Sequence, residues 1–269
     1  MQPHYRMVVA YDGTAYHGWQ IQREDRSVEE ELTRAAARIL DCELDQVKVQ
    51  GASRTDSGVH AHGQVAHIAY DVDRERTTWD FVRGLNGLTD DDICVVFAEP
   101  APEGFHARFS STGKLYRYEI WNHRFPHPMR RRYAWRAGGE LDFEAMRRAA
   151  RMLEGTHDFA AFRGSNCSAE TTERHLHRVE LTRDGPRLFV EVEGDAFLQY
   201  MVRVIVGTLV YIGWGRREPQ VIERMFETGD RAIGGITAPP HGLSLIEVFY
   251  PDHPWPLETP RLGARVRYD

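Results

Sequence analysis

The stretch Gly51-Ala52-Ser53-Arg54-Thr55-Asp56-Ser57-Gly58-Val59-His60 sets an aspartate among small residues, with an arginine two positions before it. Read locally, Thr55-Asp56-Ser57-Gly58 is a β-turn in which Asp56 bonds forward to backbone amides and Gly58 takes a positive φ. A second reading is chemical. Arg203 lies in the apolar run from Phe197 to Trp214, where Phe197, Tyr200, Arg203 and Gly207 share one helical face. A guanidinium buried there without a partner would cost several kcal/mol, so it requires a carboxylate or a phosphate. If Asp56 is that partner, its pKa falls by roughly 1–3 units and it is ionised at neutral pH. An ionised, positioned carboxylate is a nucleophile or a base. A purely structural bridge from Arg203 to another acid is the alternative, and both stay open at this point.

His60 and His62, with Asp56, form a second constellation, because residues two apart on a strand point the same way and could share a cation. A third and fourth ligand would have to come from His67, His106 or elsewhere, at no recognisable spacing. A metal-dependent hydrolase is therefore one alternative function, although a histidine pair is more often structural. Cys42, Cys94 and Cys167 form no CxxC, so neither a disulfide framework nor a cysteine zinc knuckle fits. Gly113-Lys114 lacks the first glycine and the Ser/Thr of a P-loop. Gly213-Trp214-Gly215 leads to Glu218 rather than a third glycine, and no GxSxG elbow occurs.

Charge is unevenly placed. Residues 101–136 carry eight basic side chains (Arg108, Lys114, Arg117, Arg124, Arg130, Arg131, Arg132, Arg136) against Glu103 and Glu119, a balance of +6 in a chain of net −6. Phe105, Phe109, Tyr116, Tyr118, Trp121, Phe125, Tyr133 and Trp135 are interleaved with them. Arginines bind phosphates and aromatic faces stack bases, as on a single-stranded or looped RNA surface. The bland alternative is a strand with an ordinary charged outer face.

The elements that must position these residues come in a repeated order. Residues 6–12 read as a strand, and Ser27-Val28-Glu29-Glu30 as a capping box in which the Glu30 carboxylate reaches back. Behind it Val28, Leu32, Ala35, Ala36 and Ile39 make a helical stripe, and strands follow near 47–50 and 64–70. Lys114 to Asn122 is then a strand with Tyr116, Tyr118 and Ile120 on one face. Asp142 caps a helix with the stripe Phe143, Met146, Ala149, Ala150 and Leu153, ended by Gly155. Strands at 175–183 and 187–193 are joined by the hairpin signal Asp184-Gly185-Pro186. An apolar helix at 196–212, a shorter one from Pro219 to Gly229 and a strand from Leu243 to Phe249 complete the series. Strand, capped helix and strands twice over predict two related α+β halves joined near Glu103–Ser111. From residue 251 onward, Pro251, Pro254, Pro256 and Pro260 preclude regular structure.

With 42% hydrophobic and 28% charged residues, the chain can fill a core, which excludes disorder, collagen and coiled coil. The net charge excludes a uniformly basic nucleic-acid coat protein. The longest apolar stretch contains Gln199 and Arg203, and an arginine at mid-bilayer costs roughly 2.5–3.5 kcal/mol. That favours a buried helix over a membrane span. No signal-type segment opens the sequence, so Asn166-Cys167-Ser168 reads as an accidental glycosylation match and the cytoplasm as the expected compartment.

Arg54-Thr55-Asp56-Ser57-Gly58-Val59-His60-Ala61 resembles the active-site loop of the TruA family of tRNA pseudouridine synthases. Further stretches match in the expected order: Tyr11-Asp12-Gly13-Thr14 with His17-Gly18-Trp19-Gln20; Phe105-His106-Ala107-Arg108-Phe109 leading into Lys114-Leu115-Tyr116-Arg117-Tyr118; and Phe197-Leu198 with Met201-Val202-Arg203. Phe159 to Arg163 and Gly242 to Leu245 also fit, so the likeness spans nearly the whole chain to about residue 250. Ser53 stands where glycine is frequent, and Asp195 where asparagine is frequent.

The resemblance implies an α+β fold of two ferredoxin-like (RRM-like) halves, with mostly antiparallel sheets joined around a central catalytic cleft. Residues 1–104 would carry the aspartate loop, residues 105–250 the basic aromatic strand and the buried-arginine helix, and residues 251–269 a proline-rich tail. It implies a cofactor-free, metal-free isomerase that converts uridine to pseudouridine in the tRNA anticodon stem-loop, at nucleotides thirty-eight to forty. It further implies a homodimer in which one tRNA touches both subunits, with no membrane or DNA partner. On the matching positions Asp56 is the nucleophile, Arg203 its ion-pair partner and Tyr116 the ring stacked on the target base. Arg54, His106, Arg108, Lys114 and Leu245 would contact the substrate. A non-catalytic RNA-binding protein on RRM-like halves is the remaining alternative, although its aromatic signature is absent and it leaves Arg203 unexplained.

Overall fold

The structure is a computed structural model and describes residues 4–73, 76–165 and 167–251. The tail prolines beyond Pro251 and Asn166 of the glycosylation match lie outside the described residues. In chain order the first elements are β1 (Tyr5–Tyr11), α1 (Val28–Leu40), β2 (Val47–Gly51), β3 (His60–Tyr70), α2 (Thr78–Leu88) and β4 (Ile93–Pro100). They are followed by β5 (Gly113–Trp121), β6 (Trp135–Arg136), α3 (Phe143–Arg151), β7 (Gly155–Asp158), β8 (Glu173–Asp184) and β9 (Arg187–Gly194). The last are α4 (Met201–Gly213), α5 (Val221–Thr228) and β10 (Leu243–Phe249).

Local chemistry fixes the helix ends. The Ser27 hydroxyl accepts from the Glu30 amide, and the three acids Glu29, Glu30 and Glu31 in the first turn of α1 oppose the positive end of the helix dipole. Glu30 does not reach back as a capping box would; its carboxylate pairs with Arg34 at 2.6 Å, one turn along the exposed face. Asp142 caps α3 by accepting from the Ala145 amide at 2.8 Å, and Met146, Ala149, Ala150 and Leu153 are buried beneath it. Gly229 closes α5 in the left-handed region. Helix α4 is apolar almost all round because it is packed on every side; Arg203 and Tyr211 are its two residues that are not fully buried. It begins at Met201, so the expected helical stretch 196–200 is irregular instead, with a turn at Gln199 and Tyr200, and Phe197 and Tyr200 precede the helix rather than line it.

One mostly antiparallel ten-stranded sheet runs through the molecule, in the order β4-β1-β3-β10-β5-β9-β8-β7, with β2 added to β3 and β6 to β5. The order β4-β1-β3-β2 on one side and β10-β5-β9-β8 on the other is the same ferredoxin-like permutation used twice. The two sheets are fused rather than separate. Strand β3 pairs with β2 along Ala66–Tyr70 but with β10, in parallel, at His60 and Ala61. The loop 52–59 therefore leaves the sheet at the seam where β3 exchanges one partner for the other.

Candidate active site

The aspartate loop is held by the segment that follows β1. Trp19 donates its amide to the Thr55 carbonyl at 3.1 Å, Gly58 to the Tyr16 carbonyl at 3.2 Å, and the Tyr11 and Thr55 hydroxyls bond at 2.7 Å. The approach is so close that a Cβ on Gly13 would sit 2.0 Å from the Val59 carbonyl oxygen, and one on Gly18 2.5 Å from that of Thr55. That contact gives the Asp12-Gly13 and His17-Gly18 motifs a physical reason. Gly58 takes the expected positive φ, at 76°. The Asp56 carboxylate, however, does not bond forward to amides; only its main-chain carbonyl serves the turn, accepting from Val59 at 3.1 Å.

That leaves the carboxylate free to meet Arg203. Nη1 donates to Asp56 Oδ2 at 3.2 Å, across 147 residues of sequence, while Nε donates to the Ala238 carbonyl at 2.8 Å. Both side chains are largely buried, 13% and 16% exposed. The sequence predicts that Arg203 pulls the Asp56 pKa down. Instead burial is the larger effect, and the carboxyl titrates above its ordinary value although the Arg203 charge and hydrogen bond oppose the rise. One hydrogen bond from a guanidinium shared with a backbone carbonyl is weaker than a bidentate pair would be.

Tyr116 stands at the same seam. Its hydroxyl bonds the Ser53 hydroxyl at 2.7 Å, and its ring meets Phe197 edge-on, with centroids 5.1 Å apart. Burial first, and the Asp56 charge after it, raise the phenol pKa against the opposing Ser53 bond, so the ring is neutral. Ser53 is itself clamped by Gln64, which accepts from the Ser53 amide at 3.2 Å and donates to its carbonyl at 2.6 Å. The Ser53 departure thus supplies a hydroxyl to the tyrosine. Asp195, the other departure, accepts from His177 at 2.6 Å on the surface. Leu245 is buried on β10, in register with Tyr116 on one side and Ala61 on the other. Lys114 shares the Tyr116 face of β5, two residues earlier, and is 7% exposed.

The remaining candidates scatter. Arg54 and Arg108 are exposed and His106 half-buried. His106 Nδ1 accepts from the amides of Arg108 and Phe109, and its ring lies between those of His67 and Phe109, at 4.8 and 4.4 Å. The basic window is less free than its composition suggests. Arg117 pairs with Glu191 at 2.6 Å and Arg130 with Glu119 at 2.6 Å, whereas Arg108, Arg124, Arg131 and Arg132 are exposed. Its aromatics divide too: Phe105, Tyr116 and Tyr118 are buried, and Phe109, Phe125 and Tyr133 are exposed. The histidine constellation does not assemble. His60 Nδ1 accepts from the Gly13 amide at 3.0 Å and Nε2 donates to the Arg132 carbonyl at 2.9 Å, so both ring nitrogens are taken, and Asp56 turns to Arg203 instead. Sequence reasoning missed Tyr11, Gln64 and Ala238 as supports of the site. Gln64 was detectable as a polar residue inside an apolar strand; the Ala238 carbonyl carries no side-chain signal.

Residues 7–110 and 149–251 match the family described as "tRNA pseudouridine synthase". The chain belongs to that family. Relatives named tRNA pseudouridine synthase A agree over nearly their whole length. That of Geobacter sp. (strain M21) is 42% identical over 248 residues, 92% of this chain and 98% of the relative. That of Geobacter sulfurreducens is 43% identical over 243 residues, 90% and 98%. That of Acetivibrio thermocellus is 41% identical over 247 residues, 91% and 98%. A pseudouridine synthase is an isomerase: the uracil is detached from its ribose, turned and rejoined through carbon, with no net oxidation. Among the described residues no helix is long and apolar enough to cross a membrane.

Proposed function

We propose that this chain isomerises uridine to pseudouridine in the anticodon stem-loop of tRNA, at nucleotides thirty-eight to forty. Asp56 is the nucleophile, Arg203 holds it, and Tyr116 stacks on the target base; no cofactor takes part. Residues 1–104 contribute the aspartate loop and residues 105–250 the tyrosine and the arginine, and the enzyme works as a cytoplasmic homodimer. The observation that carries the reading is the pair Asp56–Arg203, at 3.2 Å and mostly out of water, at the same sheet seam as Tyr116. A target base must leave its stack at a cost of a few kcal/mol, and an aromatic face returns about 1–3 kcal/mol of it. Mapping pseudouridine in tRNA before and after incubation with the purified protein tests the proposal. Conversion confined to the anticodon arm is expected, and unchanged tRNA would overturn it.

Lys114 and the exposed arginines Arg108, Arg124, Arg131 and Arg132 support an RNA backbone as the ligand. His67 is pushed down to about 4 by burial and by the charges of His106 and Lys48, and burial followed by the Arg108 charge brings Lys114 to about 8. His67 is therefore neutral at pH 7, whereas Lys114 still carries most of its charge there. Lys114 loses its charge as pH rises through about 8, and an anionic ligand favours the ammonium. The KM for tRNA should therefore climb between pH 7 and 9, and Lys114→Arg, which keeps its charge, should flatten that rise. An identical slope in wild type and variant would remove Lys114 from the interface.

A further inference from the structure

Tyr200 is not among the residues assigned above. It precedes α4 with φ 63° and ψ 0°. The other described non-glycine residue at positive φ is Asp41, which caps α1 and is of a type that tolerates the conformation. For a bulky aromatic residue such a backbone is strained and persists only where its surroundings over-determine it. They do so here. Gly164 donates its amide to the Gln199 carbonyl at 2.9 Å, and a Cβ on Gly164 would come within 2.6 Å of Tyr200 Cδ2, so the ring is pressed against bare backbone. The same ring carries the Arg203 guanidinium, whose carbon lies 4.8 Å from the ring centroid, within cation–π range. Arg203 thus has two supports besides Asp56: the Ala238 carbonyl at Nε and the ring of Tyr200.

We propose that Tyr200 is a positioning residue of the reaction: its ring, pinned against Gly164 by a left-handed backbone, fixes the guanidinium plane so that Nη1 faces the Asp56 carboxylate. The inference rests on the role of Asp56 proposed above. The Ala238 carbonyl anchors one nitrogen and leaves the guanidinium free to swing about it. A ring face removes that freedom without competing for the hydrogen bonds that Asp56 needs. A tyrosine that merely filled space would impose no such requirement for an aromatic face.

Three substitutions test this in steady-state assays on tRNA. Asparagine tolerates the left-handed backbone but has no ring, so Tyr200→Asn should lower kcat about tenfold with KM within about twofold. Tyr200→Phe keeps the ring and should recover activity to within about threefold of wild type. Tyr200→Leu keeps apolar bulk against Gly164 without a ring face and should behave as Tyr200→Asn does, giving the same readout if the asparagine protein does not fold. In an Arg203→Lys background Tyr200→Asn should cost less than about twofold more, because the group it acts through is gone. Wild-type kcat in the ringless variants, a loss confined to KM, or a full multiplicative loss in the Arg203→Lys background would overturn the inference. If Asp56→Asn is inactive while the Tyr200 variants turn over normally, Tyr200 alone is dismissed; an active Asp56→Asn dismisses the underlying reading first.

Discussion

Asp56→Asn is expected to abolish pseudouridine formation, by at least about 10⁴-fold, while tRNA affinity stays within about threefold. The amide keeps the shape of the side chain and can still accept from Arg203 Nη1, so the loop and its contacts with Tyr11, Tyr16 and Trp19 need not change. What disappears is the anionic oxygen. Removing a carboxylate takes no attraction away from a polyanion, which separates chemistry from binding in this variant. Nucleoside analysis of tRNA after a single turnover gives the first quantity and a gel shift the second. Turnover at the wild-type rate would exclude Asp56 as nucleophile; loss of binding in step with activity would point to a structural role for the loop.

Arg203→Met should cost both activity and stability. Methionine matches the stem of arginine and suits an apolar helix, so packing in α4 is largely kept. Asp56 is then buried without its guanidinium, and its pKa, raised already by burial, rises further, so less of the carboxyl is ionised at a given pH. Turnover should fall at least about 100-fold at pH 7. Breaking a buried pair costs about 3–5 kcal/mol; with the two side chains 13% and 16% exposed, the lower end is expected in a denaturant titration. A variant of wild-type stability and rate would show that the pair is incidental. The native pair is itself held at some expense. Because the folded-state pKa of Asp56 lies above its ordinary value, the native protein binds the extra proton between the two, and stability declines as pH rises through that window. Sites arranged for chemistry commonly give up stability in this way.

Much of this was legible from short-range sequence. Ser27, Asp142, Gly58, Gly185 and Gly229 act through bonds or dihedrals within a few residues of themselves, and each is found where its local chemistry places it. The alternation of β5 separates buried Tyr116, Tyr118 and Ile120 from their half-buried neighbours as read. Helix α2 is not predicted because its buried stripe is only Phe81 and Leu85, with Trp79 facing solvent, too narrow a signal for the period to register. The start of α4 is misplaced because an apolar run does not reveal a tyrosine with left-handed φ that delays the first turn. The fused sheet depends on two parallel pairings between β3 and β10, which local pattern cannot specify. The sign of the Asp56 shift is of the same kind. Sequence gives the partner but not the depth of burial or the number of hydrogen bonds, and here burial prevails over the single bond from Arg203.

The most direct test of a carboxylate held by a distant guanidinium is the pH dependence of single-turnover tritium release from tRNA labelled at uracil carbon 5, in wild type and in Arg203→Lys. With Asp56 as the proposed nucleophile, its ionised form is required, so the rate should fall as pH drops, with its midpoint above the ordinary aspartate value of 3.8. In Arg203→Lys that midpoint should move further upward, because a charge and hydrogen bond that favour the anion are weakened. A midpoint at the ordinary value, unmoved by the substitution, would contradict the pairing of Asp56 with Arg203 as the basis of the chemistry.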